Sequence, residues 1–222
     1  MFKNAELFES APVPKAVLKL ALPTILTMLV NVFYNMVDTF FIARTNDPNQ
    51  VAAVSLATPV FLFLMAAGNI FGIGGSAYLS RSLGEKKHER VAHISAFCCY
   101  GGIVIGLVIG AIFLLFTEPL LTLCGASPNT LGFASDYLRW IAYGAPMVVF
   151  GVAFSNMVRG EGAAKTAMFG QTLGMVVNMV LDPIMILGMK LGVAGAAIAT
   201  VIGNIITCVF YIVYIFFFSF FI

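Results

Sequence analysis

The segment from Ala21 to Ala43 is apolar and long enough to cross a bilayer, yet it carries Asn31, Asn35 and Asp38. At about 100° per residue, these three polar side chains fall on one face of a helix. A carboxylate inside a membrane span costs ~2.5–3.5 kcal/mol on insertion scales. We therefore expect the stripe to face the interior of a helical bundle rather than lipid, and Asp38 is a candidate functional group.

The whole chain is far more apolar than a water-soluble domain. Of its 222 residues, 60% are hydrophobic and 10% are charged, whereas soluble domains carry about 25% charged residues. A membrane-spanning helix needs ~20 mostly apolar residues. We predict an all-α integral membrane protein, a bundle of six transmembrane helices at about 15–42, 51–79, 91–116, 136–158, 166–189 and 193–218.

The basic residues are distributed unequally between the two sets of connecting segments. Nine of the 12 Lys and Arg residues lie in or next to the N-terminal segment 1–14, loop 81–90 and turn 159–165, and three lie on the other side. Cytoplasmic loops are enriched in Lys and Arg. This bias predicts a cytoplasmic N-terminus. Residues 118–135 are predicted to be a loop on the opposite side, and segment 1–14 is too polar for a cleavable signal peptide.

Several classes of function are disfavoured by the sequence. The net charge is +2 and the basic residues lie in loops, which does not predict nucleic-acid binding. The four cysteines lack metal-ligand spacing, so no metal site is predicted. No hydrolase, zinc-protease or phosphate-loop motif is present. We therefore predict a non-enzyme without a resident cofactor.

Glycines recur at four-residue spacing in two of the predicted spans. Gly68 and Gly72 lie in the second span, and Gly102, Gly106 and Gly110 lie in the third. Small residues at this spacing allow helices to approach closely in membranes. We expect both rows to be helix-packing faces.

A second acidic residue, Asp182, lies well inside an apolar span. Asn178 shares its helical face, and the next span carries Thr200 and Asn204. Counting 1.5 Å per residue, Asp38 lies ~6 Å, and Asp182 and Thr200 ~10 Å, from the external ends of their spans. We expect Asp38 and Asp182 to share one site. Such a pair can exchange a proton, or its oxygens can bind Na⁺; alternatively, the groups only join helices by hydrogen bonds.

The order and spacing of several motifs resemble one known family. The motifs are LALPTILTMLVNVFYNMVDTFFIAR, VAAVSLATPVFLFL, GGSAYLSRSLGEKK, LCGASPNT, ASDYLRW, NMVRGEG, VVNMVLDPIMI and GVAGAAIATVIGN. Together they resemble the multidrug and toxic compound extrusion (MATE) transporters, especially the prokaryotic DinF-like branch. The resemblance extends over nearly the whole chain, and it implies a multi-pass protein of a bacterial or archaeal cytoplasmic (inner) membrane.

This resemblance implies a cation-coupled antiporter that exports amphipathic, mostly cationic compounds by alternating access. The coupling ion is H⁺ or Na⁺, and bending of the first span is one proposed switch in the family. The resemblance places the coupling site at Asp38, Asn178, Asp182 and Thr200. It places Tyr137 and Asn156 in the lobe cavity, where Asn31, Asn35 and Asn204 are further candidates.

Family members have twelve spans in two six-helix lobes, and this chain resembles the N-terminal lobe only. The resemblance therefore implies a second six-helix lobe as partner, besides membrane lipid, and we expect a lobe on its own to be unstable or to dimerise. Two alternatives remain open. One is a lipid-linked sugar flippase of the same superfamily, although the spans carry few basic residues for a pyrophosphate. The other is a truncated half-transporter that does not transport.

Overall fold

The computed structural model describes residues 12–85 and 87–218, and within these ranges the regular structure is helical. Six helices are long and apolar enough to cross a membrane, which confirms the predicted fold class. The helices are α1 Val13–Ala43, α2 Pro48–Gly84, α3 His88–Leu115, α4 Thr117–Leu123, α5 Pro128–Gly160, α6 Ala164–Asp182 and α7 Val193–Phe218, with a π-helical turn at Pro183–Gly188 after α6. Residues 1–11, most of the predicted N-terminal segment, lie outside the described residues.

The predicted loop 118–135 is largely helical. It contains most of α4, and α5 already begins at Pro128. The prediction was wrong because Pro119 and Pro128 were interpreted as loop residues, whereas the first turn of a helix tolerates proline. At Ser127 a capping box with Thr130 supplies partners for the first turn of α5, which favours a helix start at this position.

Helix α5 is the centre of the bundle. It packs against α2, α3 and α7, and 72% of its most apolar window is buried, compared with 11% for α1. Its inward residues contribute the largest share of the larger core cluster, eight of its 21 buried residues, including Leu138, Ile141 and Val149. The first span is therefore a peripheral helix, held mainly by its contact with α6.

Helix α3 approaches α5 closely at two glycines. A Cβ atom added to Gly106 would lie 2.6 Å from the Cα of Pro146, and one added to Gly110 would lie 2.6 Å from the carbonyl oxygen of Ala142. Both neighbours are backbone atoms, which cannot rotate away. The third-span glycine row is thus a helix-packing face, as predicted.

We expect Gly106→Ala to lower the unfolding temperature and Gly74→Ala to leave it unchanged or raise it. Overpacking a tight contact costs about 1–3 kcal/mol, and the Gly106 methyl group meets the backbone of α5. Gly74 has nothing within 4 Å of an added Cβ, so there the better helix propensity of alanine acts alone. Thermal unfolding in detergent measures both variants, and equal shifts would contradict the packing role.

The α-helical hydrogen-bond pattern of α6 ends at Asp182, beside a proline. Pro183 lacks an N–H, and the chain continues as a π-helical turn to Gly188. Single π turns within helices occur frequently at functional sites. This change of helical geometry places the last residue of α6, Asp182, at a discontinuity inside the bundle.

Candidate functional site

The polar residues of α6 and α7 meet inside the bundle, close to the end of α6. Asp182 is 0% exposed, Asn178 is 2% exposed and Thr200 is 5% exposed. The Asn178 amide Nδ2 donates to Thr200 Oγ1 at 3.1 Å, and the Thr200 hydroxyl donates to the carbonyl oxygen of Ala196 at 2.9 Å. Three of the four predicted coupling residues therefore form one buried group.

Asp38 of α1 lies on the other side of this group. Its side chain is half-buried, and it is close enough to Asp182 to interact with it electrostatically. The two carboxyl groups thus come from different helices to within electrostatic range of each other.

Tyr34, which sequence reasoning missed, connects α1 to the site. Its hydroxyl lies 3.4 Å from Thr200 Oγ1. Thr200 donates its one proton to Ala196, so Tyr34 is the donor in this pair. The Thr200 hydroxyl then donates one hydrogen bond and accepts two, which fills its hydrogen-bonding capacity. The signal was present in the sequence, because Tyr34 precedes Asp38 by four residues and shares its face.

Tyr137 of α5 adds a second phenol close to the site. Its side chain is buried, with 8% exposed, and it lies within electrostatic range of Tyr34 and of both carboxyl groups. The structure therefore brings Tyr137 together with the predicted coupling residues.

The polar stripe on α1 is not wholly internal. Asn35 is exposed, and Asn31 is half-buried; Asn35 Nδ2 donates to Asn31 Oδ1 at 2.8 Å. The expectation that Asn35 faces the bundle interior is wrong. The contact face of α1 follows Thr27 and Tyr34, and Asn35 is turned about 100° away from Tyr34.

Asn156 and Asn204 lie elsewhere in the bundle. Asn156 Nδ2 donates to Asn69 Oδ1 at 3.0 Å across the contact between α5 and α2. Asn204 donates to the backbone carbonyl of Thr200, one helical turn earlier in α7, at 2.8 Å. The contacts described for both asparagines are between or within helices.

Four oxygen atoms of the site are buried without a hydrogen-bond donor among the described residues: Asp38 Oδ1, Asn178 Oδ1, and Asp182 Oδ1 and Oδ2. An ionised carboxylate that is desolvated and unpaired costs many kcal/mol, so a protein neutralises it or supplies a positive partner. The arrangement can therefore hold a proton on a carboxyl group, or a hard cation among its oxygens. No cluster of three His, Cys, Asp or Glu side chains with metal-binding geometry occurs in ranges 12–85 and 87–218.

Helices α6 and α7 hold their part of the site rigidly. A Cβ atom added to Gly174 would lie 2.6 Å from the carbonyl oxygen of Gly203, and one added to Gly203 would lie 2.6 Å from that of Gly174. Thr207 Oγ1 also donates towards the carbonyl oxygen of Gly170 at 3.3 Å. Main-chain contact therefore fixes the spacing between Asn178 and Thr200.

The sequence of this chain is similar to those of known proteins from one family. A model of the MatE family matches residues 23–184. The chain is 37% identical over 207 residues to the multidrug export protein MepA of Staphylococcus aureus (strain NCTC 8325 / PS 47), covering 93% of this chain and 46% of MepA. The chain thus spans about half the length of the curated relatives that it matches.

Solved structures give the same result. A crystal structure of MATE in complex with MaL6 superimposes with a TM-score of 0.92 at 29% identity, covering 99% of this chain and 49% of that one. An outward-facing multidrug resistance MATE family transporter of the MOP superfamily gives a TM-score of 0.90 at 30% identity, covering 97% and 47%. The six-helix arrangement is therefore that of one half of these proteins.

Proposed function

Because the chain belongs to the MatE family, we propose that it forms the N-terminal half of a multidrug exporter driven by a proton or sodium gradient. Its relatives are named for multidrug export, which supports transport rather than catalysis. Its substrates are amphipathic, mostly cationic compounds, and its export is antiport by alternating access. A second six-helix lobe completes the pathway, and the N-terminus lies in the cytoplasm.

The observation that carries this proposal is the lack of hydrogen-bond donors to the carboxyl group of Asp182 among the described residues. Its carboxyl group is fully buried, and neither oxygen has a donor among the described residues. Such a group is stable when it is protonated or when a cation balances it. A group of this kind that exchanges its proton or cation with water couples ion movement to a change in the bundle.

In the proposed switch, ion binding changes how tightly α1 is attached to α7. Tyr34 donates to Thr200, and this side-chain hydrogen bond joins α1 to α7. A cation that takes a lone pair of Thr200 competes with its two donors, Tyr34 and Asn178, and weakens the attachment of α1 where it displaces Tyr34. With a cation as the coupling ion, the occupied and empty states then bind α1 with different free energies, which is what a population shift requires.

The test is the dependence of export on each ion gradient. The intact protein, with any continuation beyond residue 222, is reconstituted in liposomes loaded with ethidium. We expect export to follow an imposed proton or sodium gradient and to stop when an ionophore dissipates that gradient. Liposomes that contain the Asp182→Asn variant provide the matched baseline.

Export that continues at an equal rate without either gradient would contradict ion coupling. No export by the well-folded intact protein under any gradient would contradict the transport function itself. The two outcomes are distinguishable because two movements of ethidium are measured separately. One is its equilibration across the liposome membrane, and the other is its accumulation against its own concentration gradient.

A further inference from the structure

A small, open cavity lies at the connection between α2 and α3, outside the site described above. Its volume is about 260 Å³, and its lining residues are Tyr78, Arg81, Ser82, Glu85 and Arg90. Pockets for drug-sized ligands have volumes of about 300–1,000 Å³. This cavity therefore suits a headgroup-sized ligand better than an amphipathic drug.

Backbone hydrogen bonds hold the walls of this cavity in place. The Lys87 amide donates to the carbonyl oxygen of Ser82 at 3.0 Å, and the Glu85 amide donates to that of Arg81 at 3.0 Å. Ser80 Oγ donates to the carbonyl oxygen of Gly160 at 2.7 Å, which ties the end of α2 to the end of α5. These hydrogen bonds position the end of α2 and the start of α3, from which the lining side chains project.

The charge of the turn favours an anion. Glu85 pairs with Lys87 at 2.6 Å and with Arg81 at 3.1 Å, and these hydrogen bonds hold the pKa of Glu85 below its usual value. Among the described residues, no carboxylate pairs with Arg90. Segment 81–90 contains four basic residues and two glutamates, so the turn remains positive after its ion pairs are formed.

The cavity also lies at the level where a membrane span ends. Tyr78 is half-exposed and precedes the charged segment by three residues, and the apolar part of α3 begins at Val91. Tyrosines are enriched at the membrane–water interface. Basic pockets between membrane helices at this level bind anionic lipid headgroups.

We propose that this cavity binds the phosphate of an anionic membrane phospholipid. The guanidinium groups of Arg81 and Arg90 donate charge-assisted hydrogen bonds to the phosphate oxygens. The hydroxyl groups of Tyr78 and Ser82 donate from the other walls. Glu85 holds Arg81 by an ion pair and competes with the phosphate for it. The proposal depends on this turn alone and is independent of the proposed transport function.

The experiment is native mass spectrometry of the full chain in a neutral detergent. Phosphatidylglycerol and phosphatidylcholine with identical acyl chains are added separately, and binding of the first lipid is measured. We expect a preference for phosphatidylglycerol, and Arg81→Gln combined with Arg90→Gln should weaken its binding about tenfold or more, because both guanidinium partners of the phosphate are lost.

A matched variant removes two arginines from the other end of the lobe, Arg44→Gln with Arg139→Gln, and should retain the preference. Glu85→Gln should strengthen phosphatidylglycerol binding, because it removes the competing carboxylate; this opposite sign cannot come from misfolding. Equal loss in both double variants, weaker binding in Glu85→Gln, or displacement of the lipid by millimolar inorganic phosphate would overturn the proposal.

Discussion

Replacing Asp182 with asparagine is expected to abolish gradient-driven export while leaving the fold intact. Asparagine has the shape of a protonated aspartate and no charge, so the fully buried position remains filled. It can neither release a proton nor balance a cation. We expect the initial export rate to fall at least about tenfold. The unfolding temperature should stay within about 4 °C of that of the wild type, the shift that ~1 kcal/mol causes in a chain of this size.

The control for this prediction is Asp136→Asn. Asp136 is an exposed aspartate of α5, so the same chemical change is made without touching the site. Asp38→Asn should resemble Asp182→Asn, and the double variant should be little worse than either single variant, because residues that act as a unit are not additive. Export by Asp182→Asn and Asp38→Asn at the wild-type rate would refute the coupling role.

Replacing Thr200 with valine is expected to destabilise the lobe and impair export together. Valine has the same shape but leaves the buried Asn178 amide and the Tyr34 hydroxyl without their acceptor. A buried donor left unpaired costs about 1–3 kcal/mol, which corresponds to a fall of about 2–4 °C in unfolding temperature for each kcal/mol.

Two variants isolate the role of the Thr200 hydroxyl. Thr200→Ser keeps it and should restore both stability and export. Thr122→Val removes an exposed hydroxyl that donates to a carbonyl four residues earlier, as Thr200 does, but joins no other helix. A loss of stability that is equal in Thr122→Val and Thr200→Val would show that only the local backbone hydrogen bond matters.

Much of this architecture could be predicted from the sequence because a bilayer restricts the choices. Six apolar segments must form helices to satisfy the hydrogen bonds of their own backbone groups. A buried carboxyl group such as that of Asp182 requires polar side chains nearby. The family prediction is confirmed by the MatE match and by the half-length similarity to MepA. The cation-coupling role of the four predicted residues stays a prediction.

Other features depended on packing that a single sequence does not encode. Asn35 lies on the same side of α1 as Asp38 when the helix is considered alone, but the width of the contact with α6 decides which residues are covered. The π-helical turn after Asp182 also escaped prediction, because a proline in a membrane helix is compatible with a kink, an end or a widened turn.

The contact between Gly174 and Gly203 gives the two sides of the site different mechanical properties. The spacing of α6 and α7 is limited by main-chain atoms, which resist compression, whereas only 11% of the apolar window of α1 is buried. A change in bilayer thickness or lateral pressure acts on the least constrained helix first. Lipid composition would therefore alter the position of Asp38 while the distance between Asn178 and Thr200 stays constant.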